Sequence, residues 1–410
     1  MSMRVFVYLL VFLVCAGLGA VLWVLLSNPE DQPPEVLRSI GKAGTGTGDM
    51  SGPQGVTVDR YGYVFVCDSN NNRIEKFSPD GRLMHEPWGQ RGSDRDKLAF
   101  DLPTRIIVDH DDLYVTDQMN NRIVRVSTLG LFKGVFGING RANGQFNQPQ
   151  GLVLDPADGT LLVADSGNDR IQRLQRDGTF VSTFGTEGHG AGNFEHPTDV
   201  GLDRDHNIYV VDRDNNRIEK FNGKGEFIQE WGDFGKEKGQ FDRPSGLVVD
   251  EDDHILVADS GNNRVEKFDK AGKLITTFGE AGAAARQFNA PQQVAVDGRG
   301  LVLVADAGNN RVCIFRKRVP ITFGGTPKAT HTLNEAPPFT PNASGTVSVS
   351  ATPSTEVTES PVESLTPSLL PSEQPSAMPS PSASEFETES PPPACCASPP
   401  ALPSPSVRDL

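Results

Sequence analysis

The phrase DSGNNRVEKF begins at residue 259 and recurs five more times with small changes: DSNNNRIEKF from 68, DQMNNRIVRV from 117, DSGNDRIQRL from 165, DRDNNRIEKF from 212 and DAGNNRVCIF from 306. Its aspartate falls at Asp68, Asp117, Asp165, Asp212, Asp259 and Asp306, and its arginine at Arg73, Arg122, Arg170, Arg217, Arg264 and Arg311, giving steps of 49, 48, 47, 47 and 47 residues. A period this regular marks stacked supersecondary units, each unable to bury its faces alone.

The grammar inside one period is all strand. In 244–279, GLVVD and ILVAD are short apolar runs, RVEKF alternates, and KLITTFG closes the unit, with EDDH, SGNN and DKAG as turns between them. β-branched residues, a period of two and turn chemistry every few residues predict four antiparallel strands per unit. Six such units, packed face to face around an axis, predict an all-β, six-bladed β-propeller over 35–324. The six Asp and six Arg read as architectural pins, because a guanidinium five residues after a carboxylate can reach it across the second loop. A second repeat, FG followed by a Gly-rich loop, then F-x-x-P, joins one unit to the next. It also appears once before the first unit, where Gly41 and Pro53 keep its spacing and Met50 takes the Phe position. Residues 36–41 are therefore expected to supply the outer strand of the last blade, with VPITFGG (319–325) as the competitor.

The ends differ in composition. Val5 to Leu26 carries no charge, about 22 residues, or roughly 33 Å as a helix, enough to cross a bilayer. With Arg4 before it and Glu30 and Asp31 after it, the segment 1–28 reads as a membrane anchor that leaves the rest outside; a cleaved signal and a secreted product is the alternative. Residues 325–410 are dominated by Pro, Ser, Thr and Glu and are expected to be disordered, as a plain solvated tail or a glycosylated stalk. Five cysteines show no metal spacing, so Cys67 and Cys313 are expected to be free and buried.

The D-x-x-N-[ND]-R-[IV] phrase, with its preceding apolar run ending in Asp and the FG…F-x-x-P loop, resembles the NHL repeat. The resemblance implies a six-bladed propeller and leaves function open, since such propellers serve ligases, RNA binders, extracytoplasmic sensors and a zinc-dependent amidating lyase. A net charge of −15 argues against a nucleic-acid partner. EHPTDVGLD (195–203) is similar to the lyase branch, but the phrase loops carry no His; His110, His206 and His254 fall in turns at the other end. A channel-sited metal-dependent lyase or hydrolase is the alternative, and the favoured reading is a membrane-anchored binding scaffold for a protein or small extracellular ligand, with no cofactor, no metal site and no catalytic residue.

The end carrying the phrase and the Gly-rich loops is the expected binding face. Two residues after the repeated proline stand Gly55, Gly151 and Gly246 in blades one, three and five, and Arg105, Asp199 and Gln293 in blades two, four and six. The last three are expected to ring the channel mouth. Met119 and Arg213, which replace the usual small residues of the phrase, are expected to be exposed there as partner contacts. The turns DHDD, RDHN and EDDH at the other end read as a solvated acidic collar.

Overall fold

A computed structural model of the chain describes residues 32–317. The expected anchor at 5–26, the tail from 325, the competing segment 319–325, and Cys15, Cys395 and Cys396 lie outside the described residues. Among the described residues no helix is long and apolar enough to cross a membrane.

The repeats form six antiparallel blades. Blade five is typical: Pro244–Val249, Ile255–Asp259, Arg264–Phe268 and Leu274–Phe278, paired in chain order from the axis outward. Successive innermost strands are neighbours, and that of blade six also lies against that of blade one, so the ring closes. The closing device is the expected one. Glu35–Ile40 pairs antiparallel with Arg311–Arg316 as the fourth strand of blade six, with Ile40 opposite Val312 and Ser39 opposite Cys313. The two ends of the propeller are thereby joined through one sheet.

Blade one departs from the pattern. Gly55–Val58, Val64–Asp68 and Arg73–Phe77 form a three-stranded sheet, and only isolated bridges, Phe77 with Leu83 and Ile74 with Trp88, mark the fourth-strand position. Four residues lie between Leu83 and Trp88, where blade five has three between Leu274 and Phe278. Pro87 lies in that stretch and has no N–H for a ladder. An extra residue and a missing donor together break the strand.

The core is divided into six clusters, one in each gap between neighbouring blades. Leu162, Ala164 and Ile171 of blade three, for example, pack on Phe194, Val200, Ile208, Val210 and Phe221, which belong to blade four. Each linking loop drives a phenylalanine into such a gap: Phe100, Phe146, Phe194, Phe241 and Phe288 are all fully buried, and Met50 takes the same place before blade one. Burial of one such ring stabilises the gap by about 2–3 kcal/mol. The loop glycine ahead of it permits this seat. Gly137 sits at φ +90°, and a Cβ there would stand 2.5 Å from the Phe146 ring. Cys67 and Cys313 are free and buried, and burial pushes the Cys313 thiol up to about 12.

Candidate functional site

The loop face is assembled by the repeated phrase, whose Asp, Asn and Arg side chains are hydrogen-bonded in each blade. The aspartate ends the second strand and the arginine begins the third, and their Nε to Oδ2 distances are 2.7–2.8 Å in all six blades. The other oxygen of each Asp accepts the backbone N–H that follows the plugging Phe or Met, at 2.6–2.8 Å. The rest of the guanidinium donates to carbonyls of the Gly-rich loop; Arg264, for instance, reaches Lys236, Glu237 and Gln240 at 2.6–2.8 Å. The first Asn of the pair bridges the Asp to the same loop, as Asn262 does to Asp259 and to the carbonyl of Gly235, both at 2.8 Å. The twelve residues read as pins are pins.

The second residue of the pair joins blade to blade. Asn72, Asn121, Asp169, Asn216, Asn263 and Asn310 all have φ of 53–57°, the left-handed region that Asn and Asp tolerate. Their side-chain oxygens accept the backbone N–H of Leu102, Gln148, His196, Arg243, Ala290 and Gly52 in turn, at 2.7–2.9 Å. The last of these, Asn310 to Gly52, crosses the seam of the ring. Sequence reasoning placed this residue in a turn and missed its reach to the next blade.

In three blades the phrase includes a buried acid beyond the pin. Glu75, Glu219 and Glu266 lie two residues after the Arg and share it with the Asp: Arg217 contacts Asp212 at 2.8 Å and Glu219 at 2.6 Å. Each Glu also accepts a loop N–H, from Gly48, Gly192 and Gly239 respectively. Burial, reinforced by the charge of the neighbouring Asp, pushes Glu75 up to about 7 and Glu219 up to about 8.

Of the three residues expected to ring the mouth, Arg105 lines its cavity, whereas Asp199 and Gln293 do not, contrary to the sequence expectation. The three are 6 %, 0 % and 6 % exposed and tie the innermost strands together inside the bore. Arg105 and Asp199 form an ion pair between blades two and four. Asp199 Oδ2 accepts the N–H of Leu247 in blade five at 2.7 Å, and Gln293 Oε1 accepts that of Val56 in blade one at 2.7 Å. The alternation with glycine is steric. A Cβ on Gly151 would stand 2.4 Å from the Cα of Asp199, and one on Gly246 would stand 2.4 Å from the carbonyl oxygen of Gln292. The strands are too close at the axis for six side chains, so alternate blades supply three.

The residues that ring the mouth are those one position earlier: Gln54, Thr104, Gln150, Thr198, Ser245 and Gln292. They enclose a cavity of about 20 Å³ with Arg105 and Gly151 in its wall. All six are polar and uncharged. The signal was legible in the sequence, since each follows the repeated proline directly.

Around this mouth the exposed positions are the ones that vary between blades. Met119 is 49 % exposed, as expected, and Arg213 is half-exposed with Asp214 at 3.8 Å. Gln148, His196 and Arg243, each just before a blade's proline, are exposed as well. At the opposite end the acidic collar is not simply a solvated face. Of the acids in those turns, Asp111, Asp205, Glu251 and Asp252 are exposed, while Asp109 and Asp112 are buried; the aspartates that precede the equivalent turns, such as Asp59, are buried too, and Asp59 accepts the N–H groups of Tyr61 and Tyr63, both at 2.9 Å, closing its own turn. Of the three turn histidines, His110 is 77 % exposed, His206 contacts Asp155 and His254 is largely covered against Asp250. Asp250, Asp252 and His254 bring possible cation ligands within 4.8 Å of one another. Lys267, 3.3 Å from Asp250, and Lys317, 2.6 Å from Asp252, already supply positive charge to both carboxylates.

The model for the NHL repeat matches residues 50–77, 146–174, 194–221, 241–268 and 288–315. The chain carries five NHL repeats. The blade of the propeller that the NHL model passes over is the second, where Gln118 and Met119 replace the usual small residues and the backbone geometry is nonetheless the same. Over 48 residues the chain is 46 % identical to the E3 ubiquitin-protein ligase TRIM71 of Rattus norvegicus, which is 12 % of this chain and 6 % of that protein. It is 25 % identical over 116 residues to Protein brain tumor of Drosophila melanogaster, 28 % of this chain and 11 % of that one. The chain thus spans a small fraction of the length of these relatives. Among solved structures, it is similar to a protein of unknown function from Bacteroides thetaiotaomicron, with TM-score 0.55, 18 % identity, and coverage of 68 % of this chain and 75 % of that one. A streptogramin B lyase is similar with TM-score 0.50 and 16 % identity, covering 68 % and 97 %. These structural likenesses bear on the fold alone.

Proposed function

We propose that this NHL-repeat propeller is a binding scaffold that recognises a protein partner, or a small extracellular ligand, on the face carrying the phrase and the Gly-rich loops, and performs no catalysis of its own. The observation that supports it is the division of labour on that face. The residues repeated in every blade are turned inward and hydrogen-bonded within the ring, whereas the residues that differ between blades, such as Met119, His196, Arg213 and Arg243, are the ones left accessible. A rigid ring with variable display positions suits recognition. In this reading the apolar run at 5–26 anchors the chain with the propeller outside the cell, the acidic balance disfavours nucleic acid, and the tail acts as a spacer.

The test is site-specific photo-cross-linking on the full chain. A photoreactive residue at Met119 or Arg213 is expected to capture a partner, while one at Tyr61 or Leu129, exposed in turns of the opposite end, is not. Capture from Tyr61 and Leu129 only would place the binding face at the wrong end.

A further inference from the structure

Five of the six gaps between blades are sealed at their outer edge by one device. The turn between the third and fourth strands of a blade sets a glycine against the residue that closes the fourth-strand position of the blade before it. The pairs are Gly130 on Trp88, Gly178 on Phe136, Gly225 on Phe184, Gly272 on Trp231 and, across the seam, Gly81 on Ile40. All five glycines have φ of 78–92°, and a Cβ on any of them would stand 2.4–2.9 Å from the covered side chain. The gap between blades five and six has no such seal among the described residues. Blade six takes its fourth strand from Glu35–Ile40, and the described chain stops at Lys317, one residue past its third strand. Phe278, which closes the outer strand of blade five, instead lines a cavity of about 90 Å³ with Leu256, Val296 and Val302, at the end opposite the phrase loops. Third-strand cations elsewhere donate to a carbonyl of the next blade's turn: Lys76 to Thr128 at 2.9 Å, Arg173 to Gly223 at 3.1 Å and Lys220 to Lys270 at 3.1 Å. Lys267, in the same place, lines the cavity and lies 3.3 Å from Asp250.

The chain that follows Lys317 has the chemistry to fill this cavity. Thirteen residues after the phrase aspartate stand Gly81, Gly130, Gly178, Gly225 and Gly272 in blades one to five, and Val319 in blade six. Val319 does not suit the glycine's turn: a β-branched residue is an outlier at positive φ, and Pro320 after it favours an extended backbone. An extended chain leaving Lys317, itself in the cavity wall, carries Val319 no farther than about 7 Å and turns Val319 and Ile321 to one side. A cavity that holds benzene measures about 150 Å³, so this smaller one suits a single branched aliphatic side chain. Charge agrees with the fit. On the rim Asp250, Asp252 and Asp297 face Lys267, Lys317 and Arg299, whereas Glu251 has no cationic partner among the described residues, and Arg318 follows Lys317 directly. We propose that residues 318–321 of this chain dock in the notch between blades five and six, with the Val319 side chain seated against Phe278. The inference is independent of the reading of the phrase-bearing face. It places the departure of the C-terminal segment beside Gln32 and Pro34, which line the same cavity.

The experiment is NMR on the full chain labelled at its Val, Leu and Ile methyl groups. The Val319 methyl signals are expected to show NOE cross-peaks to the methyl groups of Leu256 and Val302 and to lie upfield of random-coil positions, with F278L removing the upfield shift. V319D is expected to move the Leu256 and Val302 signals and to lower Tm by about 2–4 °C. Val319 methyl groups at random-coil positions, without cross-peaks to Leu256 or Val302, would overturn the proposal, as would V319D leaving those two residues unmoved. Cross-peaks that fade on dilution would seat the segment of a second copy in the notch and would overturn it as well.

Discussion

Replacing Glu219 with Gln should make the propeller more stable at alkaline pH and leave it unchanged in acid. Glu219 is fully buried beside Asp212, also fully buried, and both carboxyls contact the single guanidinium of Arg217. Burial and the Asp212 charge lift Glu219 from an ordinary 4.5 to about 8. With the folded value above the unfolded one, the stabilising contribution is complete below pH 4.5 and declines as pH rises, because the unfolded chain sheds a proton that the folded chain retains. The decline continues to about pH 8 and then levels off. At about 1.4 kcal/mol per pH unit the ceiling is roughly 4–5 kcal/mol, and relaxation around a carboxyl so close to a loop brings the expected loss to about 2 kcal/mol. Blade three shows that Gln fits: Gln172 accepts the N–H of Gly144 at 2.9 Å and donates to the carbonyl of Gln145 at 2.7 Å and to Asp165 at 3.0 Å. The assay is urea unfolding of the full chain at pH 4.5, 6, 7 and 8.5, followed by tryptophan fluorescence. E219Q should match wild type at pH 4.5 and exceed it by about 2 kcal/mol at pH 8.5. A variant less stable than wild type at pH 8.5, with the pH slope unchanged, would refute the reasoning. It would mean that Glu219 is ionised in the folded ring and that its pairing with Arg217 is net favourable.

Other perturbations address the closure and the axis. N310A removes the acceptor for Gly52 across the seam and should cost about 1–2 kcal/mol in urea unfolding, comparable with N263A between blades five and six. I40A, in the strand that closes blade six, should cost about 2–4 kcal/mol and increase proteolysis near residue 40, since Ile40 packs between blades six and one. D199L leaves Arg105 unmatched in the bore and should cost about 3–5 kcal/mol, whereas R105M/D199L should recover most of it; an additive double-mutant cycle would show that the two do not interact.

The sequence carried the fold through its repetition. Each blade must offer nearly the same faces to its neighbours, so the constraint is written six times, and strand order, the Asp–Arg pins, the plugging Phe or Met50 and the N-terminal closing strand were all legible. Blade one's broken fourth strand was not read from Pro87 and the extra residue, because the pattern of the other five blades overrode a local signal. The bore was misjudged for a geometric reason. Alternation of Gly with Arg105, Asp199 and Gln293 looks the same in sequence whether the large residues face a ligand or each other. Only the approach of the strands, with no room for a Cβ at Gly151, tells the two apart.

The same comparison explains where recognition can evolve on such a ring. Inside the bore, every second inner strand must give up its side chain, and the three that remain are committed to neighbouring backbones and to one another, so substitution there is limited by the ring's own closure. One residue earlier, at the mouth, each blade retains a side chain and most of these have room to differ: three Gln, two Thr and one Ser occupy the six places. Thr198 differs from Thr104 only in having Val211 instead of a threonine beside it. A single change in the second strand of one blade therefore removes a hydroxyl's partner, without disturbing the pins that hold the loops above it.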